Sequence, residues 1–268
     1  MSPGQFVMHR SALAGVQAVA AHSRHAFARH THEQFGIGVI RQGAQVSHSG
    51  RGRVQAGPGH VITVNPGEVH DGAPLGDGVR AWQMLYLDPE VVADAADALR
   101  AGGRAYEFEH PAQDHPALAR DVLALYAQAT AGAAPLACDA LLLRILARAG
   151  APLPDAGRRA PRAVPDAIRH ARGLIDDDPA AALSLADLAA ASGLSRYQML
   201  RAFTRATGLT PHAYQVQRRL LLARSLIRGG TALAEAAAAG GFADQSHMTR
   251  LFVRAYGLSP GRYAQAAG

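Results

Sequence analysis

The sequence has no lysine: all 27 of its cationic side chains are arginine. Arg suits bidentate contact with phosphate and carboxylate, yet a coding bias towards Arg and Ala accounts for the absence more simply. Cysteine is almost missing too. Cys138 stands alone, which excludes an internal disulfide. No apolar run approaches the roughly 20 residues that a membrane-spanning helix requires. The start of the chain, with Arg10, a short Ala/Val stretch and then His22, Arg24 and His25, lacks the pattern of a secretory signal. A cytoplasmic protein with no membrane association is expected.

What is present points to two folded domains. The 268 residues are 49% hydrophobic, ample for a core in each of two ordinary domains and too apolar for a disordered chain. The formal charge is +6 and the isoelectric point near 10.1, unevenly spread. Residues 163–268 hold 12 Arg against 7 Asp or Glu, whereas residues 1–162 hold 15 against 14. Basic charge gathered at one end is the footprint of a nucleic-acid module, because neutralising phosphates releases counterions.

From Gln34 to Leu87 the chain breaks into short β-prone runs between Gly, Pro and Asn: Phe35–Ile40, Ala44–His48, Arg53–Ala56, His60–Asn65 and Val79–Leu87. That spacing predicts an antiparallel sandwich or barrel. From Pro116 to Ala149 the period becomes helical, with Leu118, Val122, Leu125 and Tyr126 on one stripe and Leu141, Leu142, Ile145 and Leu146 on another. Such stripes can seat a second copy of the chain or pack onto the barrel. The Pro-rich stretch around residues 151–164 reads as a linker. Residues 1–150 and 165–268 are then the two domains, the second all helical.

The second domain contains an internal repeat at an offset of 49 residues. Met199, Arg201, Phe203, Gly208, Leu209, Pro211 and Tyr214 recur as Met248, Arg250, Phe252, Gly257, Leu258, Pro260 and Tyr263. Ser195 and Asp244 are placed as helix N-caps, Ser195 forming a capping box with Gln198. Gly208 and Gly257 suit the left-handed position after a helix, and Thr210–Pro211 and Ser259–Pro260 start the next one. Each repeat therefore reads as a helix-turn-helix unit.

In the helix after Ser195, Met199, Ala202, Phe203 and Ala206 form the stripe to bury, leaving Arg196, Tyr197, Leu200, Arg201, Thr204 and Arg205 outward. In the second unit Met248, Leu251, Phe252 and Ala255 are buried, leaving Gln245, Ser246, His247, Thr249, Arg250 and Arg254 outward. These donor-rich types read base edges in the major groove, Arg matching guanine and Gln adenine. A polar outer face on any one helix ordinarily serves only to solvate it. Two such faces in a basic repeat favour DNA, with the helix Pro211–Arg228 holding the two units apart.

The run Gly241-Phe242-Ala243-Asp244-Gln245-Ser246-His247-Met248-Thr249-Arg250-Leu251-Phe252, followed by Gly257-Leu258-Ser259-Pro260 and Tyr263, resembles the signature region of the AraC/XylS family of transcription regulators. The resemblance covers about residues 165–265. It implies a bipartite seven-helix DNA-binding domain, double-stranded operator DNA as partner, and activation through RNA polymerase. By position it places base contacts at Tyr197, Leu200 and Arg201, and at Gln245, Ser246, His247, Thr249 and Arg250, with Arg196 and Arg205 on the same face. Leu200 replaces a polar residue and offers only apolar contact, as to a thymine methyl.

The run from Gly59 to His70 and the triplet His30-Thr31-His32 resemble the two cupin motifs of AraC-type sensor domains. The fold implied is α+β: an N-terminal cupin-like β-barrel with two helices that binds a small-molecule effector and forms a homodimer, then an all-α domain with two helix-turn-helix motifs. The expected ligand-binding residues are His30, His32, Arg41, His70, Trp82 and Met84. Arg41 stands where a strand Arg grips sugar in the sugar-sensing type, but Gly72 replaces the aromatic that stacks there. Gly36 replaces the Glu with which cupin enzymes complete a metal site, although Glu33 lies close by. The three His can hold zinc with water, or be hydrogen-bonded relics. The relic reading is preferred: no metal, no cofactor and no catalysis. The alternatives are a metal-dependent cupin enzyme with a DNA-targeting tail, which needs an acid or base in the pocket, and a non-specific DNA-organising protein, which predicts no sequence preference.

Overall fold

Among the described residues nine strands form in the first third of the chain and a short tenth follows beyond it. They are β1 (Gln5–His9), β2 (Val16–Ser23), β3 (Phe27–His30), β4 (Phe35–Gln42), β5 (Gln45–Ser49), β6 (Gly52–Ala56), β7 (Val61–Val64), β8 (His70–Pro74), β9 (Arg80–Leu87) and the two-residue β10 (Ala112–Gln113). The computed structural model describes all residues except 1–4, 77, 100–105, 133–134, 151–163 and 268. It forms two units, residues 1–152 and 153–264 in the main. The expected linker at 151–164 lies almost wholly outside the described residues.

The strands make two antiparallel sheets, ordered β1-β2-β9-β4-β7-β10 and β3-β8-β5-β6. Period-two alternation gives β9 two different faces. Leu85 and Leu87 join the core built with helix α2 (Pro116–Ala131) and helix α3 (Pro135–Ala149), whereas Trp82 meets Phe27 of the other sheet. The predicted strand runs are present. Strands β1, β2, β3 and β8 were not predicted, because runs such as Val16-Gln-Ala-Val-Ala-Ala are poor in the branched and aromatic residues that mark strands. A third helix, α1 (Pro89–Leu99), was likewise not foreseen.

Both predicted stripes are spent inside the chain. Leu118, Val122, Leu125 and Tyr126 of α2, and Leu141, Leu142, Ile145 and Leu146 of α3, are all buried in one cluster with Val16, Ile37, Val39, Leu85 and Leu87 of the sheet. A second copy cannot use them. Asp121 of α2 pairs with both Arg144 and Arg148 of α3 and holds the two helices in register.

The second unit has seven helices among the described residues: α4 (Asp166–Asp177), α5 (Leu185–Ala191), α6 (Arg196–Thr207), α7 (Pro211–Arg228), α8 (Leu233–Ala239), α9 (Gln245–Tyr256) and α10 (Pro260–Ala267). The repeat is visible in the stops and starts. Ser195 and Gln198 form the capping box of α6, Asp244 caps α9 through His247 N–H, and Gly208 and Gly257 end the two helices in the left-handed conformation. Its aromatic pairs repeat as well: Phe203 lies 5.5 Å from Tyr214 and Phe252 lies 5.7 Å from Tyr263, ring centre to ring centre.

Helix α7 grips both halves of this unit. Its Arg219 donates from Nε to Pro179 O (2.7 Å), from Nη2 to Ala181 O (3.0 Å) and Ala180 O (3.3 Å), and from Nη1 to Gly241 O (2.8 Å). Gln215 adds a bond to Ala181 O at 2.7 Å. One guanidinium thus ties the α4–α5 loop to the α8–α9 turn. Gly241 must be glycine there: its φ is +72°, and a Cβ would stand 2.8 Å from Ala180 Cα. Towards the other end of α7, Arg224 lies over both Tyr256 and Tyr263 at 5.3 Å.

Arg219→Ala and Gly241→Ala are each expected to destabilise the helical unit by about 1–3 kcal/mol, through unsatisfied carbonyls in one case and backbone strain in the other. Denaturant unfolding of the full chain, followed by hydrogen exchange in residues 165–264, measures this. Unchanged protection there would refute the clamp.

Candidate effector and nucleic-acid sites

Strand pairing assembles the histidines. Residues His30 on β3 and His70 on β8 are direct partners across the antiparallel ladder. His32 follows β3 by two residues, and its carbonyl accepts from Gly67 N–H (2.8 Å) in the turn before β8. The three rings pack together, with centroids 4.4 Å apart for His30 and His70, 4.8 Å for His30 and His32, and 5.2 Å for His32 and His70. His30 and His32 are buried, and His70 is half-buried. Tyr86 of β9 lies 5.0 Å from His32.

Each of two rings has one nitrogen committed to a backbone carbonyl, His30 Nδ1 to Ala28 O at 2.8 Å and His70 Nδ1 to Glu68 O at 3.0 Å. A carbonyl only accepts, so Nδ1 carries the proton and Nε2 keeps its lone pair. Burial pushes the His30 imidazolium down to about 3, helped by the neighbouring His70. Burial also lowers His70. Both rings are neutral at pH 7.

Gly36 explains the missing carboxylate. A Cβ there would meet Val64 Cγ1 at 2.6 Å, Met84 Cε at 3.1 Å and Tyr86 Cε1 at 3.3 Å, so no Glu fits without displacing them. Glu33 is exposed and is not part of the histidine group.

The other expected ligand residues divide. Trp82 and Met84 are buried on the inner face of β9. Trp82 meets Phe6 edge to face at 5.7 Å and Phe27 at 6.3 Å. Arg41 is exposed instead: Ile40 pairs with Trp82 on the inner face of the sheet, so the next residue along β4 points to the opposite face. The arginine inside the sandwich is Arg80, 1% exposed. Its guanidinium bonds Gln45 Oε1, His25 O and Gly72 O, the last two at 3.1 Å, and lies 4.6 Å from the Trp82 ring centre. Burial lowers it to about 10, so it remains a cation. A Cβ on Gly72 would meet it at 3.5 Å. Sequence reasoning missed Arg80, although it shares the alternation of Trp82, Met84 and Tyr86.

In the helical unit the buried stripes lie where expected. Met199 and Phe203 of α6 are buried with Leu188 and Ala189 of α5, and Met248 and Phe252 of α9 are buried with Ala236 and Ala237 of α8 also buried. Outward on α6 stand Arg196, Tyr197 (66% exposed), Leu200 (37% exposed), Arg201 and Arg205. Arg201 donates to Tyr197 Oη at 3.2 Å and lies 5.5 Å from its ring centre, a prearranged pair. On α9, Gln245, Ser246 and Arg250 are exposed, while Thr249 is half-buried. Half-buried His247 turns back: its Nδ1 faces Ala243 N–H at 3.4 Å, and its ring meets Phe242 at 5.7 Å. Exposed Val253 adds an apolar patch on α9 that was not foreseen.

The buried neutral histidines give a pH signature. Unfolding frees His30 to bind a proton near pH 6.5, whereas the folded site resists it until about pH 3. Stability from this burial is therefore complete above pH 6.5 and falls as pH drops towards 3. Between pH 7 and pH 5 the wild type should lose about 2 kcal/mol that His30→Gln does not. Urea unfolding of the chelator-treated protein at the two pH values measures the difference, and equal losses would refute neutral burial.

Comparison with known proteins covers both units. Residues 14–146 match the AraC-like ligand binding domain and residues 188–266 a helix-turn-helix domain. YbfI, an uncharacterised HTH-type transcriptional regulator of Bacillus subtilis (strain 168), is 25% identical over 224 residues, 83% of this chain and 81% of that protein. The transcriptional activator NphR of a Rhodococcus species is 39% identical over 84 residues, covering 31% of this chain and 25% of NphR. Among solved structures, unsaturated fatty acid bound ToxT from Vibrio cholerae has the same fold, with a TM-score of 0.58 over 94% of this chain and 95% of ToxT at 12% identity. The two matched segments, in the order of the two observed units, establish that the chain belongs to the AraC-type transcription regulators, a ligand-binding domain followed by a helix-turn-helix DNA-binding domain.

Proposed function

We propose that this regulator binds a specific, asymmetric operator by placing α6 and α9 in successive major grooves. The supporting observation is the pair of exposed, dissimilar faces on two helices that α7 clamps into one unit. Arg201, held by Tyr197, and Arg250 are the bidentate candidates for guanine, and Gln245 is the candidate for adenine. Arg196, Arg205 and Ser246 border them, with Leu200 supplying apolar contact. The half-buried His247 and Thr249 remain candidates at the edge of the α9 face. A groove-to-groove spacing of about 34 Å fits two helices read by one chain.

The N-terminal unit is read as the effector domain. A small molecule bound among Trp82, Met84 and the histidines would alter operator occupancy only through unequal affinity for two states. Arg80 replaces Arg41 as the candidate for a polar or anionic group on that molecule. The unsaturated fatty acid held by ToxT supports a small-molecule effector without fixing its identity. Activation through RNA polymerase is the proposed output, in keeping with the activator NphR. Homodimerisation is proposed through surfaces other than the two buried stripes. Leu136, 80% exposed on α3, offers one apolar contact. Among the described residues no helix is long and apolar enough to cross a membrane, in keeping with a cytoplasmic regulator. The tight packing at Gly36 favours a non-enzymatic role over a cupin enzyme.

Arg250→Ala should cost about 1–3 kcal/mol at a single base position and relax preference there. Operators selected from random duplexes by the wild type, then competed against single-base variants, supply the measurement. Full discrimination retained by Arg250→Ala would remove that residue from the reading set.

A further inference from the structure

We propose that His30, His32 and His70 form a three-histidine site for a zinc-class divalent ion inside the N-terminal unit. One ligand atom from each residue lies within 4.8 Å of the others. Zinc held at 2.0–2.1 Å by three nitrogens sets them about 3.3–3.4 Å apart, so closure asks for shifts of about an ångström, within the reach of ring rotations.

Two features go beyond proximity. The Nδ1–H groups of His30 and His70 donate to backbone carbonyls of Ala28 and Glu68. That is the outer bond which, in metal sites, fixes a ligand ring and leaves Nε2 for the ion. The cluster is also rigidly founded. His30 and His70 are ladder partners, and the His32 carbonyl is bonded across to Gly67. Bringing three polar rings together in a buried place is costly, and an ion at their centre offsets that cost.

The donor set also limits which ion enters. Three imidazole nitrogens suit zinc, cobalt or nickel rather than magnesium or calcium, which prefer oxygen. Gly36 supplies no carboxylate, and Val64, Met84 and Tyr86 close around it. A fourth position would therefore be left to water or to an oxygen or nitrogen donor of a small molecule. Hydrogen bonds at His30 and His70 fit relic histidines as well as ligands, and it is the convergence of one ligand atom from each of the three rings that favours an ion. The regulatory consequence rests on the reading of this unit as the effector domain, but the site itself does not.

Full-length protein freed of metal by a chelator and titrated with Co²⁺ tests the site. The expected result is one Co²⁺ per chain, with the visible absorption of a four-coordinate nitrogen and oxygen site, bleached by Zn²⁺. His32→Ala and His70→Ala should each lower Zn²⁺ affinity by at least about 10-fold, while His212→Ala in the helical unit should not. Absence of a stoichiometric site in the wild type overturns the proposal, whatever the variants do, and so does undiminished binding by folded His32→Ala. Operator affinity with and without Zn²⁺ is read separately. Binding without any change in operator affinity contradicts a regulatory role and leaves the site intact.

Discussion

The Arg219 guanidinium carries the architecture of the DNA-binding half. Each helix-turn-helix unit has a small core, one built on Met199 and Phe203 and the other on Met248 and Phe252. Helix α7 runs between them, with Tyr214 packed on the first core and Arg224 over Tyr256 and Tyr263 in the second half. Arg219 bonds carbonyls in the α4–α5 loop and in the α8–α9 turn, and Gly241 permits the backbone to approach Ala180 closely enough for both to be reached. Charge-assisted bonds to carbonyls are stronger than neutral ones and directional. The separation of α6 and α9 is therefore set by a short-range interaction, and DNA does not have to impose it.

A comparable economy shapes the N-terminal unit. Alternation along β9 sends Leu85 and Leu87 to the helices and sends Arg80, Trp82, Met84 and Tyr86 inward, so one strand builds the core on one side and the candidate effector site on the other. Glycine at 36 is a packing requirement as much as a loss of chemistry. Arg80, buried against Trp82 and bonded to two strands and a loop, joins the two sheets.

Much of this was legible in the residues. The repeat displayed helices α6 and α9, their caps and stops, because capping depends on local side chains such as Ser195 and Asp244. The strand runs from Phe35 to Leu87 were legible through their turns. What escaped had non-local causes. Strand β2 looks like an Ala-rich segment until β1 and β9 flank it. The outward place of Arg41 and the inward place of Arg80 both depend on which faces of β4 and β9 meet the second sheet. The stripes of α2 and α3 were seen, but their partner, the sheet, could not be told from a second chain. The helix Pro211–Arg228 is legible as the spacer between the units, but the part played by Arg219 is not, since its four carbonyl partners lie 22 to 40 positions away.

The central claim is that one chain presents two unlike reading surfaces at a fixed separation. Hydroxyl-radical footprinting of the full-length protein on its preferred operator tests this most directly. The account predicts, for each chain bound, two protected patches on one face of the duplex, about one helical turn apart, with different sequences beneath them. A single patch per chain, or two patches with the same sequence, would contradict it.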